Sequence, residues 1–249
     1  MEVKTDPAGR LHDLLEAAKK QPESKRAREA LGIVFDIESR DTESLLRLVA
    51  DLIMLSQQAK SRIHSLDDIT HDIFLEPFPK IEKLLSTLNL DASWKPYREL
   101  LSDPTTLYGL KFCSDKLSRI DCIENIDKSE IEAIQAKLAS LVDDILNSEI
   151  DPDVKELLLR NLEGLRQSLI AYRVRGLEGI EREVEAGLGS ILVNKSKIEK
   201  TVSKGKNGSL LKSYIALLEV TNKTISTAKN LKELGVVDLV TKLIGVDNG

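Results

Sequence analysis

His64, Asp68 and His71 follow one another at spacings of four and three, the interval that sets side chains on one stripe of an α-helix. Two imidazoles and a carboxylate are a plausible donor set for a divalent transition metal. Asp67 and Asp72 add oxygens nearby, and such a site ordinarily takes a further ligand from another segment. The competing reading is a polar helix face on which His and Asp make ordinary hydrogen bonds. The other patterns that carry catalysis are missing: there is no Gly-x-Ser-x-Gly elbow and no His-Glu-x-x-His helix. Residues 203–209, SKGKNGS, lack the Gly-Lys-Ser/Thr spacing of a phosphate-cradling loop and read as a connector. No residue is therefore assigned as catalytic, and a metal-dependent enzyme or effector using His64, Asp68 and His71 stands as the alternative function.

A second set of residues lies in 171–192, AYRVRGLEGIEREVEAGLGSIL. Each glycine inside a helix costs about 1 kcal/mol relative to alanine, so Gly176, Gly179, Gly187 and Gly189 need a reason. Steps of three and four from Tyr172 reach Gly176, Ile180, Val184 or Glu183, Gly187 and Ile191, which puts two glycines on the apolar seam. There they would let a neighbouring helix approach closely, within the chain or between two chains. Gly179 and Gly189 fall off that line and suit a kink or a helix end. Arg173 and Arg175 could contact an anion or a partner at a helix end, or pair with Glu178, Glu181 and Glu185 that follow.

These residues must be carried by helices. Asp6-Pro7 and Asp151-Pro152 are cap-then-proline starts, and Asp41 or Thr42 can cap a long helix whose apolar residues run from Leu45 to Ile73. Further helices are predicted over about 24–35, 80–88, 107–123, 127–147 and 209–225, with a terminal piece at 231–244. Sustained period-two alternation and fixed-period repeats are absent. The predicted fold class is all-α, a multi-helix bundle-like array. Two helical subdomains, 1–100 and 101–249, are expected to meet near 89–106, where prolines interrupt the pattern. The second would hold a long glycine-bearing helical segment at 150–200. Trp94, the single tryptophan, is expected to anchor packing.

The 249 residues include 36 Lys and Arg scattered among 41 Asp and Glu, for a net charge of −5. That balance offers no field to gather phosphates, so no nucleic-acid partner is expected. Cys113 and Cys122 make neither a zinc site nor a disulfide framework. No charged leader precedes an apolar run, and no run is long enough for a membrane span, which points to a cytoplasmic protein. None of His12, His64 or His71 has an arginine five to seven residues upstream, the spacing of the ribonuclease pair in all-α proteins of bacterial conflict systems. Residues 157–191, centred on Tyr172-Arg173-Val174-Arg175-Gly176, resemble a helical segment of bacterial proteins from accessory, defence-like gene neighbourhoods. The resemblance implies a bacterial cytosolic setting and sets no residue's role.

The function expected from these features is protein–protein interaction, as an adaptor, immunity or regulatory subunit acting by stoichiometric binding. The partner would be another protein or the chain itself, a homodimer forming through the glycine-bearing helix, and no cofactor is expected. Membrane-surface action by C-terminal amphipathic stretches is a further alternative.

Overall fold

The computed structural model describes residues 3–120, 126–202 and 208–228. These are helical, with Arg26 and Ser93 making an isolated β-bridge. The all-α class is therefore observed. The described residues divide into two compact units, one of 3–120 with 173–176 and the other of 126–172 with 177–228. The boundary expected near 89–106 falls inside the first unit.

In that first unit α1 (Pro7–Lys19) packs against α2 (Ala27–Phe35), α3 (Thr42–His64), α6 (Lys95–Ser102) and α7 (Pro104–Ser118). The cap-then-proline reading of α1 holds: Asp6 Oδ1 accepts from Gly9 N at 2.7 Å, and Ser114 Oγ donates to the other carboxylate oxygen at 2.8 Å. Asp6 is buried, which pushes its carboxyl above the usual range against the pull of these donors. Leu11, Leu14, Leu15 and Ala18 form the buried face of α1.

Residues 89–94 are no linker, because their backbone closes the first turn of α2. Ala27 N donates to Ala92 O and Arg28 N to Leu90 O, both at 2.9 Å, while Trp94 N donates to Lys25 O at 2.8 Å. Carbonyls distant in sequence thus satisfy N–H groups that a helix start leaves orphaned. Trp94 is the anchor expected of it, fully buried with Nε1 donating to Ala18 O at 3.0 Å. The prolines that interrupt the pattern open helices: Pro96 sits in the first turn of α6, and Asp103-Pro104 starts α7, with Asp103 Oδ1 accepting from Thr105 N at 2.9 Å.

The long helix predicted to reach Ile73 stops at His64. Ser65 Oγ donates to Arg62 O at 2.8 Å. The Asp67-Asp68-Ile69-Thr70 stretch that follows is rich in side chains that compete with helical bonding. A short helix α4 (His71–Leu75) then precedes α5 (Phe78–Ser86).

The second unit is built on four helices: α8 (Lys128–Leu146), α9 (Pro152–Ile170), α11 (Leu177–Val193) and α13 (Gly208–Ala228). α8 touches α9 and α13, and α11 touches α9 and α13, which closes a four-helix ring. Its core includes Ile134, Leu138 and Ile145 of α8, Leu158, Leu162 and Leu165 of α9, Ile180, Val184 and Ile191 of α11, and Tyr214 and Leu218 of α13. Between α9 and α11 lies α10 (Tyr172–Arg175), and α12 (Lys195–Val202) leads towards α13. Cys122, most of the predicted connector at 203–209 and the terminal piece at 231–244 lie outside the described residues.

Candidate protein-binding surface

The predicted donor stripe is not one stripe, because α3 ends at its first member. His64 and His71 do come together, their rings stacked with centroids 5.8 Å apart and planes 24° from parallel. Asp68 turns away and receives a hydrogen bond from Lys116 Nζ at 2.6 Å. That bond holds its carboxyl below the usual range. An ion pair thus occupies the carboxylate the metal reading needed. Among the described residues, three potential ligand atoms gather within 4.8 Å of one another at His12, Asp13 and Glu16 instead. This trio comes from a single stretch of α1, and Glu16 also faces Lys20 at 3.6 Å, so it lacks a ligand from a second element.

The two glycines expected on one seam separate into different roles. Gly187 is the packing glycine: a Cβ there would stand 2.8 Å from Tyr214 Oη and 3.3 Å from Leu218 Cδ1. Tyr214 is fully buried on α13, and burial pushes its hydroxyl up to about 12. Tyr172, Ile180, Val184 and Ile191 are buried as the seam requires. The close approach is made by the chain's own α13, so the homodimer expected through this helix finds its seam already filled. Gly176 is no seam residue but the break between α10 and α11, with φ at 67°, a conformation that costs other residues. Gly189, predicted at a kink or terminus, lies within α11 with open space around its Cβ position.

Arg173 and Arg175 find partners inside the chain. Residues 173–176 belong to the first unit, where Arg173 Nη1 donates to Val34 O at 3.0 Å. That carbonyl lies in the last turn of α2, where a cation also meets the negative end of the helix. Arg175 Nε donates to Asp51 Oδ2 of α3 at 2.8 Å, and the Asp51 side chain is almost wholly buried. The acidic residues that follow in sequence are not the partners of these two contacts.

Among the exposed residues of the first unit are several large apolar ones. Ile73 of α4 and Tyr108 and Phe112 of α7 are 66%, 63% and 67% exposed. Ile73, Phe74, Gly109 and Phe112 line a groove of about 400 Å³ whose other walls are Asp115, Lys116 and Arg119. Two ion pairs edge it, Lys116 with Asp68 at 2.6 Å and Arg119 with Asp115 at 2.8 Å. Cys113 lies beneath, fully buried, its thiol donating to Phe74 O at 3.2 Å, and burial pushes it up to about 12. A neutral, hydrogen-bonded thiol is a poor nucleophile, so Cys113 is a packing residue.

No protein-family model matches the chain, and neither the curated proteins nor the solved structures give a match. The groove must be read on its own chemistry. Exposed aromatic side chains beside an apolar cleft are the features that anchor protein contacts, and a rim of charges orients them. Sequence reasoning missed Tyr108 and Phe112 and placed Ile73 in the wrong helix. The signal was present: the buried side of α7 is Leu107, Leu110, Cys113 and Leu117, so Tyr108 and Phe112, four apart, sit off that side with no polar reason to be there.

No helix among the described residues is long and apolar enough to cross a membrane.

Proposed function

We propose that this chain is a protein-binding module that acts by stoichiometric association, with the α4–α7 groove as its docking site. The observation that carries this is one apolar cleft with charged edges lined by Ile73 and Phe112, with Tyr108 four residues before Phe112 on the same helix, each of the three more than three-fifths exposed. Fully covering one such side chain gains about 1.5–3 kcal/mol. Three anchors therefore suffice for a selective contact once the ordering of both surfaces is offset. Apolar side chains of a partner protein enter the cleft, and the Lys116–Asp68 and Arg119–Asp115 pairs select among partners. Such stoichiometric binding fits an adaptor, immunity or regulatory subunit, and the resemblance of residues 157–191 adds only the expectation of a bacterial cytosolic setting.

A photo-crosslinking side chain placed at position 112 in a host cell tests this reading. A discrete adduct is expected, reproduced at one-to-one stoichiometry with the purified partner and abolished by Ile73→Asp with helicity unchanged. An adduct indifferent to Ile73→Asp, or no more yield at 112 than at exposed Lys111, contradicts it.

A further inference from the structure

From Leu45 to Leu55, nine of eleven residues are apolar, with Arg47 and Asp51 the exceptions. A helix of that composition is apolar all round and seeks cover on every side. Its inward residues, Leu45, Leu48, Leu52 and Leu55, are buried against neighbouring helices. Its outward residues are not: Leu46 and Met54 are 56% and 57% exposed, Ile53 is 36% exposed and Ala50 is open too. Along that outward face Glu43, Leu46, Ala50, Ile53, Gln57 and Lys60 recur at steps of three and four, the spacing of a coiled-coil stripe. The apolar residues occupy its centre. An acid stands at one end and a base at the other.

That charge arrangement names the occupant. Two copies of the stripe laid antiparallel about a two-fold axis between Ala50 and Ile53 bring Glu43 opposite the partner's Lys60. Leu46 then meets the partner's Gln57, and Ala50 meets the partner's Ile53, the small residue letting the axes approach. Laid parallel, the stripe would set glutamate against glutamate and lysine against lysine. The existing pairs Glu43–Arg47 at 2.6 Å and Lys60–Glu82 at 2.7 Å extend each contact into a chain of alternating charges. We infer that the chain pairs with a second copy of itself through the outer face of α3, antiparallel about Ala50 and Ile53. This surface is separate from the α4–α7 groove and does not depend on it.

Helix α3 spans 23 residues, or about 34 Å. One helix pair of that length falls short of the ~1,600 Å² of a standard interface, so association in the micromolar range is expected. Sedimentation velocity of the full chain over roughly 1 to 200 µM tests it. The wild type should move from monomer to dimer, and Ile53→Glu should remain monomeric with its thermal transition unchanged. Glu43→Lys alone and Lys60→Glu alone should each weaken the dimer about tenfold at low salt, by creating like-charge contacts. An equimolar mixture of those two variants should recover it, because each 43–60 contact in the mixed dimer is again an opposite pair. A wild-type monomer throughout, a dimer that survives Ile53→Glu, or a mixture no tighter than either variant overturns the inference. Phe112→Ala should leave the dimer intact, so failure here and failure of the groove reading are distinguishable.

Discussion

Helices α11 and α3 both carry apolar residues on more than one side, and the molecule treats them in opposite ways. On α11 the seam is covered from two directions by α9 and α13, and Gly187 is bare so that Tyr214 and Leu218 can lie against it. On α3 the inner side is covered while Leu46, Ile53 and Met54 remain open. A small residue flanked by apolar ones thus marks a close approach without saying whose helix makes it. Charge supplies the difference. The stripe on α3 ends in Glu43 and Lys60, and the two arginines beside the glycine segment are held by Val34 O and Asp51.

The sharpest way to break this comparison is substitution on the covered side. Gly187→Val should lose about 3 kcal/mol of stability by overpacking against the fully buried Tyr214 and Leu218, read as a fall in urea midpoint with unchanged slope. Gly176→Ala should lose about 1–2 kcal/mol through the left-handed conformation alone. Gly189→Ala should gain up to about 1 kcal/mol, since nothing stands in its way and helix propensity improves. A thermal scan of the three in parallel separates packing, backbone strain and propensity, which the sequence presented as one run of glycines. On the open side of α3, Leu46→Glu should stay within about 0.5 kcal/mol of wild type.

A smaller effect comes from Asp103, held at about 2 by its hydrogen bonds from Lys80 and Thr105. A depressed carboxylate favours the folded state above its ordinary value near 3.8, and that contribution is lost as pH falls through about 2. Urea midpoints should therefore decline between those values, and Asp103→Asn should flatten part of the decline. Cys113 should resist a thiol reagent at neutral pH until the protein unfolds, the buried thiol being raised to about 12.

Much of the helical fold was legible in the sequence because its signals are local. Asp6-Pro7 and Asp151-Pro152 each open a helix as their cap-then-proline pattern predicts, and the core residues of α8, α9 and α13 follow the three-and-four spacing, whereas Asp103-Pro104, read as an interruption, in fact opens α7. What local pattern could not carry was decided by distant partners. Residues 89–106 read as the place where two subdomains meet, but the carbonyls of Leu90 and Ala92 cap α2. His64, Asp68 and His71 share helical spacing, but the helix ends at His64 and Lys116 takes the carboxylate. Residues 173–176 read as the middle of one long helix, yet φ at Gly176 breaks it and the two arginines place that piece in the first unit. Tyr108 and Phe112 were legible by contrast, lying off the Leu107, Leu110, Cys113 and Leu117 side of α7, but were not singled out.

Carbene footprinting that reads modification at Leu46, Met54 and Phe112 tests the central claim, that the open apolar faces of the first unit are where this chain meets other chains. Leu46 and Met54 should be strongly labelled in dilute purified protein and protected at high concentration. Phe112 should be labelled in both and protected in extract of the native host, while Leu218 stays unlabelled throughout. Equal labelling of Leu46, Met54 and Phe112 under all three conditions would contradict the account.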